Sequence, residues 1–221
     1  MKGFKNKTFN SIITRHIIED IVIKILKCCD LMVKDLKEKG EKIKNHEEII
    51  RNSLLENYLN NNLIRNKVGI TNFIFIPEVP ENYINNEPKG RVDLKIMNDD
   101  YFINTDAYLI IECKRIDGER NLNRAYITNG VNRFLGKDPL YSSFYRSSGM
   151  LGFIVKSIDI LDNTKKINAI HQSVNTEPSV TSHLKEYIID KTVPYTYVSK
   201  YNNEELWIYH SFYDFSSVVS K

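Results

Sequence analysis

Cysteine is scarce in this chain. Its 221 residues include three cysteines, with Cys28 and Cys29 adjacent, Cys113 alone in an apolar run, and no CxxC pair. That pattern excludes a disulfide framework and a thiolate zinc site, and it points to a reducing compartment. Also missing is any run of about eighteen apolar residues, the minimum for a membrane-spanning helix. Arg15, Glu19, Asp20 and Lys24 break up the apolar positions near the N-terminus, which leaves no hydrophobic segment of the kind a signal peptide needs. A cytoplasmic protein with no membrane partner is expected. The five histidines (His16, His46, His171, His183, His210) show no metal-ligand spacing, and no GxxxxGK[ST] phosphate loop occurs. His210 is expected on a half-buried strand and His183 at a helix start. The formal net charge of +3 permits a polyanionic partner without requiring one.

Hydrophobic spacing sets out the order of elements. From Thr14 to Lys39 the residues Ile17, Ile18, Ile21, Val22, Ile25, Leu26, Leu31, Met32 and Leu36 recur every three or four positions, which is the helical period. Gly40 ends that helix. A second helical pattern starts near Ile43 and carries Ile50, Leu54, Leu55, Tyr58 and Leu59. Three strands follow: Phe73 to Ile76, closed by Pro77; Arg91 to Ile96, alternating apolar and polar; and Tyr108 to Cys113, almost wholly apolar. A helix over Leu122 to Leu135 leads to a strand over Gly149 to Val155. A polar region from Asp162 to Ser182 precedes a hairpin of Tyr195 to Val198 and Leu206 to Tyr209, turning at Asn202, Asn203 and Glu204. The chain is thus expected to be an α/β protein with a central mixed β-sheet flanked by helices, an N-terminal helical extension over residues 1–40 and a C-terminal β-hairpin. Residues 41–221 form the main domain. The apolar stripe of the first helix is longer than one sheet edge needs, which leans toward an interface with a second copy or a partner subunit over a cap on the sheet.

The stretch AYLIIECKR, Ala107 to Arg115, holds the chemistry. On a strand, residues two apart share a face, so Glu112 and Lys114 point to one side and Cys113 to the other. Charges buried beside an apolar sheet persist only when paired, hydrated or bound to a metal. Asp93, on the preceding strand, comes beside Glu112 if the chain folds back through Asn98 to Asp100. Two carboxylates and the Cys113 backbone carbonyl form an oxygen donor set suited to Mg²⁺, with Mn²⁺ as an alternative. Such an ion activates water against a phosphodiester, and Lys114 serves the nucleophile or the transition state as a point charge.

GRVD (Gly90 to Asp93) followed by IIECK (Ile110 to Lys114) resembles the D…ExK signature of the PD-(D/E)xK, or restriction-endonuclease-like, nuclease superfamily. The resemblance covers roughly residues 43 to 215, and it departs from the usual pattern at Val92, where a proline commonly stands. It implies a restriction-endonuclease-like core, a Mg²⁺-dependent endonuclease activity on DNA, RNA being the less favoured substrate, and a place in bacterial antiviral or restriction systems. It implies an added acidic residue on the helix before the sheet, assigned to Glu48 with Glu47 as the fallback; Glu78, on the first strand, is the third candidate for that role. It also implies phosphate contacts from Tyr126, Arg133 and Lys137 on the helix and loop after the third strand. A catalytically inactive relative that binds nucleic acid or scaffolds a complex is the alternative reading.

Overall fold

The computed structural model describes residues 7–84, 87–174, 179–202 and 205–220. Helix α1 (Lys7–Lys39) is followed by α2 (Glu47–Leu54), which runs directly into a single π-helical turn, Leu55–Leu59, and then α3 (Asn62–Val68). Strands β1 (Ile74–Ile84), β2 (Glu87–Met97) and β3 (Tyr108–Ile116) come next. Helix α4 (Arg120–Thr128) and a short turn of 3₁₀ helix, Val131–Phe134, lead to β4 (Ser147–Ile154). The remaining elements are α5 (Ile160–Ser173), β5 (Val180–Glu186), β6 (Thr196–Tyr201) and β7 (Leu206–Asp214).

All seven strands form one mixed sheet in the order β1-β2-β3-β4-β7-β6-β5. β1, β2 and β3 are an antiparallel meander, β4 lies parallel to both β3 and β7, and β6 and β5 continue antiparallel from β7. β6 and β7 form the expected C-terminal hairpin, and β7 lies inside the sheet, hydrogen-bonded to β4 on its other side. Its turn at residues 203 and 204 lies outside the described residues.

Two apolar layers sandwich the sheet. On one face Ile18, Ile21, Val22, Ile25 and Met32 of α1 and Ile50 and Leu54 of α2 pack with Leu109, Ile111 and Cys113 of β3. On the other, Tyr126 and Ile127 of α4 and Ile160 and Ile167 of α5 pack with Ile110 and Ile116 of the same strand. The α1 stripe is thus taken up by the chain's own core. It caps the sheet, and Gly40 marks a turn within one packed unit, not the end of a separate extension.

Several local expectations change for identifiable reasons. β1 does not stop at Pro77 but continues through Pro77 and Pro80, paired with Leu94 and Arg91. It is an edge strand, where a residue without an N–H loses nothing on its open side. The polar stretch after Ile158 holds both α5 and β5. Its start is marked by Asp159, whose side chain accepts the Asp162 N–H at 2.9 Å as an N-cap. His183 accordingly lies on β5, not at a helix start, and His210 is fully buried on β7. Helix α4 ends earlier than expected, at Thr128, because Asn129 and Gly130 break it. Gly130 is required there: a Cβ would fall 2.4 Å from the Tyr126 carbonyl oxygen, 2.5 Å from Met150 Cε and 3.4 Å from Lys114 Cγ.

Candidate active site

The site lies where β2 leaves β3. Their ladder ends at the pair Leu94↔Ile111, and one further step of that register would set Asp93 opposite Glu112. Beyond the ladder the backbone edge of β3 has no strand to pair with, and buried N–H groups demand acceptors. Side chains supply them. Asp93 Oδ2 accepts the Cys113 N–H at 2.8 Å, and Glu47 Oε2, from the first turn of α2, accepts the Arg115 N–H at 3.0 Å. The same two carboxylates that complete the sheet edge therefore define the site.

At its centre is the Lys114 ammonium. It donates to Glu112 Oε1 at 2.8 Å, to the Cys113 carbonyl at 2.8 Å and to Glu47 Oε1 at 2.9 Å, and lies 4.0 Å from Asp93 Oδ2. Glu112 is 0 % exposed, so its charge depends wholly on partners. Beyond Lys114 it has Arg133 Nη1 3.2 Å from Oε1 and the Tyr141 hydroxyl 2.8 Å from Oε2. That hydroxyl also lies 2.6 Å from the Arg91 carbonyl, and its single proton serves one of the two. Asp93 pairs through Oδ1 with the buried Arg51, whose Nη2 reaches Glu78 Oε1 at 2.5 Å. Glu47, Glu78, Asp93 and Glu112 face Lys114, Arg51 and Arg133, so the cluster is close to charge balance.

Burial, followed by the nearby Asp93 charge, pushes the Glu112 carboxyl up to about 7 against the opposing pull of Lys114 and Arg133. Burial works against the Lys114 ammonium too, but Glu112, Glu47 and Asp93 outweigh it and raise its pKa. At neutral pH Lys114 is a fixed cation.

Of the residues expected at the site, Asp93, Glu112, Lys114 and the Cys113 carbonyl come together, and half-exposed Arg133 joins them. Glu48 does not. It is exposed, and the helix carries it about 100° around from Glu47. Glu47 is the acidic residue that α2 presents. Glu78 faces the cluster through Arg51, not directly. Lys137 is exposed on the loop after the 3₁₀ turn and touches none of these groups. Tyr126 is fully buried, with its hydroxyl on His210 Nδ1 at 2.9 Å, which removes it from any backbone phosphate. Arg51 and Tyr141 were not singled out from sequence. Arg51 has a signal in retrospect, standing four residues after Glu47 on the same helix face, whereas Tyr141 is joined to Glu112 only by the tertiary fold.

Tyr126 begins a buried polar chain. His210 Nε2 meets Ser199 Oγ at 2.8 Å, Ser199 meets the Tyr201 hydroxyl at 3.0 Å, Tyr201 meets His171 Nε2 at 3.2 Å, and His171 Nδ1 faces His183 Nδ1 at 3.2 Å. Burial, and then His183, push the His171 imidazole down to about 4 from its ordinary value of 6.5. A depressed imidazole pKa means that the folded state holds the neutral form. The stability this contributes is present above pH 6.5 and is lost as pH falls toward about 4, up to roughly 3 kcal/mol. In an NMR titration of the folded protein, His171 should stay neutral down to about pH 4; a midpoint near 6.5 would contradict the neutral chain.

Among the described residues, no three His, Cys, Asp or Glu side chains group as a metal site, and no helix is long and apolar enough to cross a membrane. Comparison with protein-family models, curated proteins and solved structures finds no match to the chain.

Proposed function

We propose that the protein is a metal-dependent phosphodiesterase of the restriction-endonuclease-like class, cleaving a nucleic-acid backbone, DNA before RNA. One observation carries the reading: Asp93, Glu112 and Lys114, on adjacent strands, converge on a point already ringed by oxygens. The order of α2, Asp93 on β2, Glu112 and Lys114 on β3, then α4 and β4 supports the reading.

The residues fit a hard divalent cation. The Lys114 ammonium acts as a stand-in, because the oxygens gathered around it, two carboxylates and a backbone carbonyl, are the donors such ions prefer. Glu112, Glu47 and the Cys113 carbonyl touch the ammonium and Asp93 Oδ2 lies 4.0 Å from it; of these, Asp93, Glu112 and the Cys113 carbonyl would hold Mg²⁺ or Mn²⁺, with Glu47 as a further carboxylate within reach. When bound, the ion supplies Lewis-acid polarisation of a phosphoryl oxygen and a water of lowered pKa. With the ion in place, Lys114 would present its positive charge to the phosphate as negative charge builds there. Half-exposed Arg133, 3.2 Å from Glu112, would contact a backbone phosphate, a contact that positions the strand without reading sequence. The fixed Cys113 N–H holds Asp93 in place throughout.

A second reading is favoured by the pairing itself. Both oxygens of Asp93 and both of Glu112 already have partners, as expected of a structural ion-pair network in a non-catalytic nucleic-acid-binding or scaffolding module. Supercoiled plasmid incubated with Mg²⁺, Mn²⁺ or EDTA separates the two. The nuclease reading expects metal-dependent nicking or linearisation, abolished by EDTA and by Asp93→Ala. The binding module expects no cleavage in any arm and the same DNA affinity after Asp93→Ala. Matched DNA and RNA oligonucleotides in the same assay then identify the backbone cleaved.

A further inference from the structure

Resting on the metal-nuclease reading, we propose that Arg51 and Glu78 are positioning residues, with Glu78 holding the Arg51 guanidinium so that it sets the orientation of the Asp93 carboxylate. The guanidinium is 3 % exposed and all three of its nitrogens are used: Nη1 on Asp93, Nη2 on Glu78 at 2.5 Å and Nε on Asn52 Oδ1 at 3.0 Å. A planar fork so engaged cannot rotate without breaking several charge-assisted hydrogen bonds at once. Asp93 is thereby held at two points, Oδ1 by Arg51 and Oδ2 by the Cys113 N–H. Two points define the plane of a carboxylate, and each oxygen keeps a second lone pair for a cation or a water.

The backbone at Glu78 gives independent support. In β1 it stands opposite Asp93, between the pairs Pro77↔Leu94 and Val79↔Val92, yet its φ is 52°. A non-glycine residue in the left-handed region is strained, and such strain persists where surrounding contacts over-determine it, often at functional sites. Here the contacts are the Glu78 carboxylate on Arg51 and, at 3.2 Å, on Arg91. Glutamate at this position is costly to the backbone and makes sense through its side chain. Tuning a ligand carboxylate through a second group is worth about 10- to 100-fold in metal affinity or activity in known metal sites.

The test compares wild type, Arg51→Lys and Glu78→Gly. Arg51→Lys keeps a buried cation but loses the fork. Glu78→Gly removes the carboxylate while relieving the backbone, and the guanidinium keeps Asp93 and Asn52 as partners, so the variant should fold. Mn²⁺ binding by calorimetry, kcat and KM for DNA cleavage, and thermal unfolding are measured for each. A positioning role expects Arg51→Lys to weaken Mn²⁺ binding and lower kcat by about 10- to 100-fold with KM for DNA unchanged. It expects Glu78→Gly to lower both several-fold in a protein that still melts cooperatively. A role confined to folding would instead lower the melting temperature of Glu78→Gly and leave Mn²⁺ binding intact. If wild type cleaves and both variants match it, the positioning assignment is overturned and the nuclease reading stands. If wild type neither binds Mn²⁺ nor cleaves, both fall.

Discussion

Lys114→Ala is expected to lower Mg²⁺-dependent plasmid cleavage by on the order of a thousandfold, the scale seen when one preorganised transition-state donor is removed. The ammonium donates to Glu112, Glu47 and the Cys113 carbonyl, and on the nuclease reading it is the lysine charge that answers negative charge building on a bound phosphate. Its removal also leaves Glu112 short of a cation in a fully buried position. Breaking a buried pair from one side costs about 3–5 kcal/mol, so thermal unfolding must be followed alongside activity. Lys114→Arg provides the control, because it retains a cation in place of the ammonium and should fold. Loss of cleavage in a folded Lys114→Arg or Lys114→Ala protein supports a chemical role. Unaltered cleavage by folded Lys114→Ala would remove this lysine, and with it the proposed site.

Deleting α1, so that the chain starts at Glu41, is expected to abolish cooperative folding. Ile18, Ile21, Val22, Ile25, Leu26 and Met32 are all buried by the sheet and its neighbours. At about 1.5–3 kcal/mol for each fully buried side chain, the six contribute on the order of 10 kcal/mol. That equals the net stability of a typical domain, about 5–15 kcal/mol. Losing the helix also uncovers Leu151, Phe153 and Tyr209 on the face it covers. Circular dichroism and a thermal melt decide the matter: a soluble fragment with a sharp transition would show that α1 is an accessory element, whereas aggregation or a non-cooperative melt identifies it as a cap.

The cluster was legible where chemistry follows from local period. Alternation along β3 places Glu112 and Lys114 on one face and Cys113 on the other, and the packing of Ile110 and Ile116 against α4 with Leu109 and Ile111 against α1 agrees. Glu47 and Glu48 were harder to separate, because adjacent residues on a helix differ by about 100° and only docking fixes which points inward. α5 and β5 went unread for another reason. Their inward faces include Asn163, Thr164, His171 and His183, polar residues that a hydrophobic pattern does not count.

Local pattern sets the element types that carry the chemistry, the shared side of Glu112 and Lys114, and the turn that brings Asp93 back toward them, since each depends on neighbours a few positions apart. Long-range packing places β7 between β4 and β6, spends α1 on the core, and brings Arg51, Tyr141 and Glu47 into the cluster. Those outcomes depend on contacts between residues far apart in the chain, Lys114 and Glu47 among them, where burial leaves each charge dependent on a partner that no local pattern names.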